Sequence, residues 1–206
     1  MNELVSQTGA RVADAAGSAR NASRGGSRMK ARTNVSRVLN LPGAQVVVRP
    51  AARPDLAAVN DIYNHYVLHS TCTYQEEPDT IAARRQWLDH HTGKHPVIVA
   101  ELNDEVVGWA SLSPYHPRSA YRRTVENSVY VDHQHHRRGI GSLLLRDLIA
   151  RARGLGHRAI IAGIDSDQPG SIALHERFRF QKVGHFTQVG FKFGRWLDVI
   201  YMELLL

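Results

Sequence analysis

The amino-acid sequence predicts a single α/β or α+β domain whose mixed β-sheet is covered by helices. From residue 46 onward, short apolar runs of strand length alternate with segments of helical periodicity, which is typical of one sheet covered by helices. Two of the runs are joined by a short polar turn, so a wholly parallel sheet is excluded. The chain has 206 residues, too few for two full-sized domains.

The first half of the domain is predicted to contain two helices and three strands. A short strand covers residues 46–48, and the second helix covers residues 80–90. A hairpin joins residues 97–102 to residues 106–112, because two apolar runs flank a polar turn there. The first helix follows Pro54 and is indicated by apolar residues spaced three and four apart: Leu56, Val59, Ile62, Tyr63, Tyr66 and Val67.

In the second half, a strand at residues 125–131 leads through a polar loop at residues 133–138 into the longest predicted helix. That helix has one apolar stripe, which includes Leu144 and Leu148, and it ends near Gly154. The remaining predicted elements are a buried strand at residues 159–164, a short helix at 171–177, and strands at 181–186 and 198–204.

Residues 1–45 differ from the rest of the chain, because they are rich in Ala, Ser, Gly, Asn and Arg. We interpret them as a disordered basic tail that precedes a domain at residues 46–206. The alternatives are an organellar transit peptide and translation that starts at Met29. The tail contributes +5 of the formal charge of +7, so the basic character is mostly a property of the tail and not of the domain.

The most informative segment is the junction between the strand at 125–131 and the long helix. Helix N-termini present unpaired N–H groups and a positive dipole end, so they suit phosphate. Here Gly139 and Gly141 let the backbone approach an anion, and Arg137 and Arg138 add positive charge. Neither the P-loop pattern nor the three-glycine dinucleotide pattern is present, which indicates another phosphate-bearing ligand.

The segment His136-Arg137-Arg138-Gly139-Ile140-Gly141 resembles the pyrophosphate-binding loop of the GNAT superfamily of acetyl-CoA-dependent N-acetyltransferases, Gln/Arg-x-x-Gly-x-Gly/Ala. Only His136 departs from this pattern. The resemblance implies a GNAT-type fold, a mixed and mostly antiparallel sheet flanked by helices, and it implies acetyl-CoA as the co-substrate.

Further segments resemble the phosphinothricin and methionine sulfoximine acetyltransferases within that superfamily, and the resemblance covers about residues 46–206. Two positions depart from the family pattern: Gln168 replaces a common Asn, and Arg179 replaces the Gly that usually precedes the final aromatic residue. The matching segments are residues 63–66, 74–78, 124–131, 171–175 and 188–198.

The resemblance implies two catalytic residues. Glu126 is expected to act as the general base that removes a proton from the ammonium group of the acceptor; its alternative role is a structural ion pair with Arg122 or Arg123. His175 is expected to assist proton removal or to protonate the departing CoA thiolate, and its alternative is a buried packing role. Tyr130 is a competing acid whose strand position also suits packing.

The backbone of residues 129–131 is expected to run along the pantetheine arm and to polarise the thioester carbonyl. The acceptor carboxylate is expected to be held by Arg118 or Arg122, with Tyr74 as a wall of the same pocket. The residues expected to bind acetyl-CoA are Val129, Tyr130, Val131, Arg137, Arg138, Gly139, Ile140, Gly141, Ser142, Gln168 and Ser171.

The expected activity is transfer of acetyl to the α-amino group of phosphinothricin, methionine sulfoximine or methionine sulfone, in detoxification. Alternative functions are a GNAT enzyme for a polyamine, an antibiotic or a protein N-terminus, and a CoA-binding regulator without catalysis. A further alternative is a basic nucleic-acid-binding module, although the sequence contains no recognition motif for nucleic acid.

We expect no metal, because the loop that contains His133, His135 and His136 lacks a further side chain to complete a metal site. We also expect no nucleic-acid or membrane partner, a cytoplasmic location and, from the resemblance, a homodimer. The lone Cys72 is not expected to be a nucleophile, since direct transfer needs none.

Overall fold

The structure of the chain is a computed structural model, and its description covers residues 37–91 and 93–206. Four helices lie in this part of the chain: α1 (Leu56–His69), α2 (Ile81–His90), α3 (Ile140–Gly154) and α4 (Pro169–Arg177). The same residues form eight strands: β1 (Arg37–Leu41), β2 (Ala44–Pro50), β3 (Val97–Leu102), β4 (Glu105–Pro114), β5 (Thr124–Val131), β6 (Ala159–Asp165), β7 (Gln181–Lys192) and β8 (Arg195–Leu205).

The eight strands form one sheet in the order β1-β2-β3-β4-β5-β6-β8-β7. Every neighbouring pair is antiparallel except β5 and β6, which are parallel. The predicted fold class, a mixed and mostly antiparallel sheet with helices, is therefore confirmed. The parallel pairing is short, because it begins at Thr124 opposite Ala159 and ends at Glu126 opposite Ile161. Beyond these residues β5 and β6 part, and a gap opens in the middle of the sheet.

The two faces of the sheet are covered by different helices. On one face, α3 buries the apolar stripe predicted from its sequence, and Leu144 and Leu148 are fully buried in the larger core cluster. On the other face, Val59 and Ile62 of α1 pack with Trp109 of β4. Because successive side chains of a strand point to opposite faces of the sheet, neighbouring residues of β5 direct their side chains to opposite sides of the sheet beside the gap.

The domain begins earlier than the predicted boundary at residue 46. Strand β1 starts at Arg37 and pairs along its whole length with β2, while Leu39 and Leu41 pack against the main core. Gly43, with a φ of +74°, permits the tight turn between the two strands. Most of the predicted tail, residues 1–36, lies outside the described residues. The strand was missed because its apolar alternation spans only five residues.

At the other end of the chain, β7 and β8 form a longer hairpin than the sequence predicted. Positive φ values at Phe193 and Gly194 make a tight turn, so the two strands pair as far as Lys192 and Arg195. Trp196 is 61% exposed and Phe193 is 56% exposed, which leaves aromatic surface at the end of the hairpin.

Among the described residues, no helix has both the length and the apolar character needed to cross a membrane.

Candidate active site

The gap between β5 and β6 opens into a cavity of about 780 Å³. Its walls are the diverging strands, the N-terminal turn of α3 and one face of α4. Most of the residues predicted to take part in the reaction or to bind acetyl-CoA line it: Glu126, Val129, Tyr130, Val131, Arg137, Gly139, Ile140, Gly141, Ser142, Gln168, Ser171 and His175. The structure therefore brings together, around one cavity, residues separated by up to about fifty positions in the sequence.

The N-terminal end of α3 presents free backbone N–H groups to this cavity. Gly139 is the N-cap residue and has a φ of +82°, and no side chain caps the helix. The first helical residues, Ile140, Gly141 and Ser142, line the cavity, and their N–H groups have no acceptor within the helix. The geometry suits a phosphate group, which would supply the missing acceptors and face the positive end of the helix dipole.

The two predicted arginines of this loop differ in position. Arg137, with a φ of +60°, lines the cavity. Arg138 is exposed and does not line it; its Nη1 lies 3.4 Å from Nδ1 of His135. Both side chains add positive charge near the mouth, but only Arg137 is positioned along the cavity wall.

His136, which departs from the family pattern, is held by α1. Its ring stacks on the ring of Tyr66, with an angle of 8° between the planes, and its Nε2 hydrogen bonds with the Tyr66 hydroxyl. The Tyr66 hydroxyl also donates to the carbonyl oxygen of Val131. The histidine thus ties the loop before α3 to α1 and to the end of β5. Tyr66 is a cavity-lining residue that sequence reasoning missed.

Glu126 is the last residue of β5 that pairs with β6, so its carboxyl group lies where the gap begins. No hydrogen bond or ion pair to it is found among the described residues, and the alternative pairing with Arg122 or Arg123 is not seen there. Burial raises the pKa of Glu126 above its usual value. A desolvated carboxylate with no partner is a stronger base than an exposed one, because nothing else stabilises its charge.

Two neighbours of Glu126 define the space around it. A methyl group added at Gly163 would lie 3.6 Å from Oε1 of Glu126 and 3.5 Å from Cε1 of Tyr201. The ring of Tyr201 therefore flanks the carboxyl group, and the absence of a side chain at Gly163 keeps the space between them open. Across β4, Ser113 pairs with Glu126 and contacts Nε2 of His91 at 3.2 Å.

His175 lies on α4, and both of its ring nitrogens have partners. Its Nδ1 lies 2.8 Å from the carbonyl oxygen of Ser171, which can only accept, so Nδ1 carries the proton. Its Nε2 lies 3.0 Å from Nδ2 of Asn127, and burial lowers its pKa, so the ring is neutral. His175 therefore holds Asn127, a lining residue that follows Glu126 and points to the opposite face of the sheet.

The side chain of Tyr130 belongs to an aromatic cluster. Its ring stacks on Trp109 at 4.8 Å and meets Tyr63 edge to face at 5.4 Å, and burial raises its pKa well above the usual value. These contacts favour the packing alternative for the side chain. The backbone of residues 129–131 lines the cavity, as expected for a strand that faces an extended substrate.

Gln168 and Ser171 occupy the start of α4. The side-chain amide of Gln168 donates to Oγ1 of Thr71 at 3.3 Å, and the backbone carbonyl oxygen of Gln168 accepts from the backbone N–H of Ser171 at 3.0 Å. Arg179 is outside the cavity. It follows α4 with a φ of +67°, at the position where a helix commonly ends in glycine.

Tyr74 lies one residue behind the cavity wall. Its hydroxyl donates to Oδ2 of Asp165 at 2.8 Å, and Asp165 itself lines the cavity. The ring packs so closely on Gly190 that an added methyl group would lie 2.4 Å from it. Lys192 fixes the same loop, because its Nζ donates to the carbonyl oxygens of Ser70 and Thr73, each at 2.8 Å.

Arg118 and Arg122 are not part of the cavity wall. Both are exposed in the segment between β4 and β5, and Arg122 donates from Nη1 only to the nearby carbonyl oxygen of Ser119 at 3.3 Å. Cys72 lines the cavity, but burial raises its pKa, which keeps it a thiol. Within residues 37–91 and 93–206, no group of three or more His, Cys, Asp or Glu side chains could hold a metal ion.

Comparison with known proteins shows which family this chain resembles. Residues 59–180 match the model of the Acetyltransferase (GNAT) family. The chain is 43% identical over 169 residues to a phosphinothricin N-acetyltransferase of Streptomyces coelicolor, covering 79% of this chain and 98% of the relative. It is 40% identical over 159 residues to an L-methionine sulfoximine/L-methionine sulfone acetyltransferase of Pseudomonas aeruginosa, covering 76% and 92%.

A solved structure agrees with these relatives. The phosphinothricin acetyltransferase of Sinorhizobium meliloti in complex with acetyl-CoA superimposes with a TM-score of 0.76 at 37% identity, covering 78% of this chain and 88% of that one. The chain belongs to the GNAT family of acetyltransferases, as its pyrophosphate-loop motif predicted. The additional resemblance to the phosphinothricin and methionine sulfoximine enzymes is also confirmed.

Proposed function

We propose that this chain transfers the acetyl group of acetyl-CoA to the α-amino group of a small amino acid analogue: phosphinothricin, methionine sulfoximine or methionine sulfone. The proposal is supported by relatives named for these substrates at about 40% identity. The structural observation that supports the proposal most directly is the position of Glu126. Its carboxyl group is desolvated and unpaired, and it lies at the start of the gap between β5 and β6.

The reaction requires the acceptor to lose a proton, because an ammonium nitrogen has no lone pair with which to attack. Glu126 takes that proton, and the neutral nitrogen then attacks the thioester carbon. An N–C bond forms, and the C–S bond of the tetrahedral intermediate breaks. The nitrogen loses a second proton as the amide forms, and a proton is transferred to the CoA thiolate, so CoA leaves as the thiol. Backbone N–H groups of residues 129–131 stabilise the oxyanion.

The phosphates of acetyl-CoA are assigned to the N-terminal turn of α3. Gly139, Gly141 and Ser142 would donate backbone N–H groups to the pyrophosphate, and Arg137 would add charge from the side. The exposed Arg138 would contribute only a weaker, screened attraction. His175 suits a positioning role better than proton donation, since its Nε2 carries no proton in the observed hydrogen-bond arrangement.

For the acceptor, we propose that Arg122 or Arg118 binds the α-carboxylate and that Tyr74 supports the pocket wall through Asp165. The arginines lie outside the cavity of one chain, so we further propose a homodimer in which the exposed aromatic end of the β7–β8 hairpin packs against a second copy. Sedimentation equilibrium tests this: a dimer is expected, and a strictly monomeric chain would contradict it.

The biological role proposed for this activity is detoxification in the cytoplasm, with no nucleic-acid or membrane partner. Because β1 and β2 already include residues 37–41 and 44–45, only the residues that precede β1 are proposed to be a tail that the reaction does not need. Removal of residues 1–33 is expected to leave turnover unchanged. A lower turnover by the truncated chain than by the full chain would contradict the proposal that the reaction does not need the tail.

The test of the proposed function is a substrate panel with the purified full chain, in which release of the CoA thiol is followed. Phosphinothricin, methionine sulfoximine and methionine sulfone are expected to be turned over. A polyamine, an aminoglycoside and a peptide with a free N-terminus are expected to give at least tenfold lower kcat/KM, about 1.4 kcal/mol of transition-state binding. Turnover of one of these three and none of the amino acid analogues would contradict the proposed substrate class.

A further inference from the structure

We propose that Oδ1 of Asn127 accepts a hydrogen bond from an amide N–H of the pantetheine arm of acetyl-CoA, which makes Asn127 a substrate-binding residue. This inference rests on the proposed function, because it takes acetyl-CoA as the molecule that enters the cavity. It adds a specific polar contact from a side chain of β5 to the backbone contacts proposed for residues 129–131.

The position of Asn127 is the first argument. It is the first residue of β5 beyond the last pairing with β6, so it stands where the two strands part. The residue is only 8% exposed, and it lines the cavity. A polar side chain so placed has little access to bulk water.

The orientation of the Asn127 amide is the second argument, and it follows from a chain of hydrogen bonds. The carbonyl oxygen of Ser171 can only accept, so Nδ1 of His175 donates to it. In a neutral imidazole, Nε2 is then an acceptor, and Nδ2 of Asn127 must be the group that donates to it. The amide cannot be turned around without leaving Nε2 of His175 facing an oxygen. Oδ1 is therefore the free edge of the amide.

That free edge has no partner. Of the buried side-chain nitrogen and oxygen atoms in the described part of the chain, two make no hydrogen bond, and Oδ1 of Asn127 is the one acceptor among them. The other is Nε1 of Trp109, which lies in the aromatic cluster. Buried polar atoms are nearly always paired in folded proteins, so an unpaired acceptor at a cavity wall indicates a donor that arrives with the ligand.

The donor class follows from what fits between the strands. The walls here are the backbone of β5 and β6, which suits an extended, narrow chain. The pantetheine arm is such a chain, and it contains two secondary amides, each with one N–H. The acylated sulfur and the phosphates do not donate, so the donors of the arm are its two amide N–H groups and the hydroxyl of its pantoyl unit. Of these we assign an amide N–H to Oδ1, because the amides are the groups that lie along an extended chain between the strands.

The proposal also gives His175 a role. By accepting from Nδ2 of Asn127 through Nε2, His175 fixes the orientation of the amide and leaves Oδ1 without a partner in the protein, so His175 is a positioning residue. Removing the acceptor with His175→Leu is expected to weaken CoA binding, while His175→Gln, whose side-chain oxygen can accept from Nδ2, is expected to restore part of it. Equal effects of the two substitutions would contradict this role.

The test measures CoA affinity by titration calorimetry, with two CoA analogues in which one or the other pantetheine amide N–H is replaced by an ester oxygen. Wild-type protein is expected to bind one analogue about tenfold more weakly than CoA. Asn127→Leu, similar in size but without an acceptor, is expected to bind CoA about tenfold more weakly and to lose the discrimination against that analogue. Asn127→Asp, which keeps an acceptor oxygen, is expected to discriminate.

Two results would overturn the proposal. One is discrimination that persists unchanged in Asn127→Leu, and the other is a wild-type protein that discriminates against neither analogue. If the leucine variant does not fold, Asn127→Ala removes the same oxygen and gives the same comparison. Asn40→Leu, the same substitution at an exposed position of β1 outside the cavity, serves as a control that should discriminate as the wild type does. A wild-type chain that binds no CoA would contradict the proposed function itself.

Discussion

The proposed acetyl-CoA site and the proposed acceptor site differ in how much of each a single chain supplies. On the acetyl-CoA side, one strand, one loop and one helix end place Gly139, Gly141 and Ser142 along the same wall. On the acceptor side, Arg118 and Arg122 are exposed and outside the cavity. Phosphate recognition by a helix end needs only local backbone geometry, whereas recognition of a small amino acid needs side chains that converge from separate elements.

This difference assigns catalysis and binding to different parts of the molecule. Glu126 lies at the junction of the two sides, where β5 leaves β6. Changes at Glu126 should affect chemistry, changes at the loop before α3 should affect CoA, and changes at the exposed arginines should affect only the acceptor. Each of the following variants tests whether the two sides are as separate as they look.

The largest effect is expected from Glu126→Gln, which removes the base and keeps the shape. We expect kcat to fall by roughly 100-fold to 10,000-fold, with CoA affinity unchanged, when thiol release and calorimetry are measured on the same preparation. Glu105→Gln, at an exposed position of β4, is the matched control. A near wild-type kcat for Glu126→Gln would contradict the proposal that Glu126 is the general base.

A second, smaller effect is expected at the acceptor side. Arg122→Ala, or Arg118→Ala if that residue makes the contact, should raise KM for the amino acid about tenfold through loss of a charge-assisted hydrogen bond. KM for acetyl-CoA should stay the same. Arg153→Ala, exposed at the end of α3, controls for the loss of surface charge. If neither arginine variant changes the acceptor KM, the carboxylate is bound elsewhere.

The acetyl-CoA side is tested by Gly139→Ala. The left-handed conformation of Gly139 costs a residue with a side chain about 1 kcal/mol, and a shift of the loop would misplace the N–H groups of α3. Affinity for CoA is expected to fall about fivefold while the acceptor KM is unchanged. Gly154→Ala at the other end of α3 adds a methyl group in open space and should leave CoA binding intact; equal affinity losses would contradict the role of the loop.

The smallest effect is expected from Arg179→Gly, at a position where the sequence departs from the family pattern. Arg179 instead lies outside the cavity in a left-handed conformation that favours glycine. The variant should raise the free energy of unfolding by about 0.5–1 kcal/mol, read from urea denaturation, with unchanged CoA affinity. A change in CoA affinity without a gain in stability would place Arg179 back in the site.

Much of the fold was predictable because its signals are local. The apolar stripe of α3 and the glycine before it are short-range features, and the structure reproduces both. Strand β1 was missed because it follows a polar stretch and is short, although its Leu39 lies 3.4 Å from where a side chain at Gly139 would begin. The N-terminal edge of the domain therefore supports the predicted phosphate loop directly.

The parts of the site that could not be predicted depend on long-range geometry. The resemblance implied a catalytic role for Glu126 and another for His175. The sequence alone could not show that the alternation of β5 places Glu126 and Asn127 on different faces, or that His175 bonds to Asn127. Asp165 lines the cavity and holds Tyr74, a pairing across 91 residues that no local pattern signals. The gap between β5 and β6 itself is visible only in the strand pairing.

The pH dependence of kcat/KM for the amino acid acceptor, compared between wild type and Glu126→Gln, tests the central claim most directly. Glu126 must be ionised to take a proton, and burial raises its pKa above the usual value of 4.5. Wild-type kcat/KM should therefore fall as the pH drops through that raised pKa, while the variant lacks this limb and follows only the ionisation of the amine itself. An identical acid limb in both proteins would contradict the assignment of Glu126 as the general base.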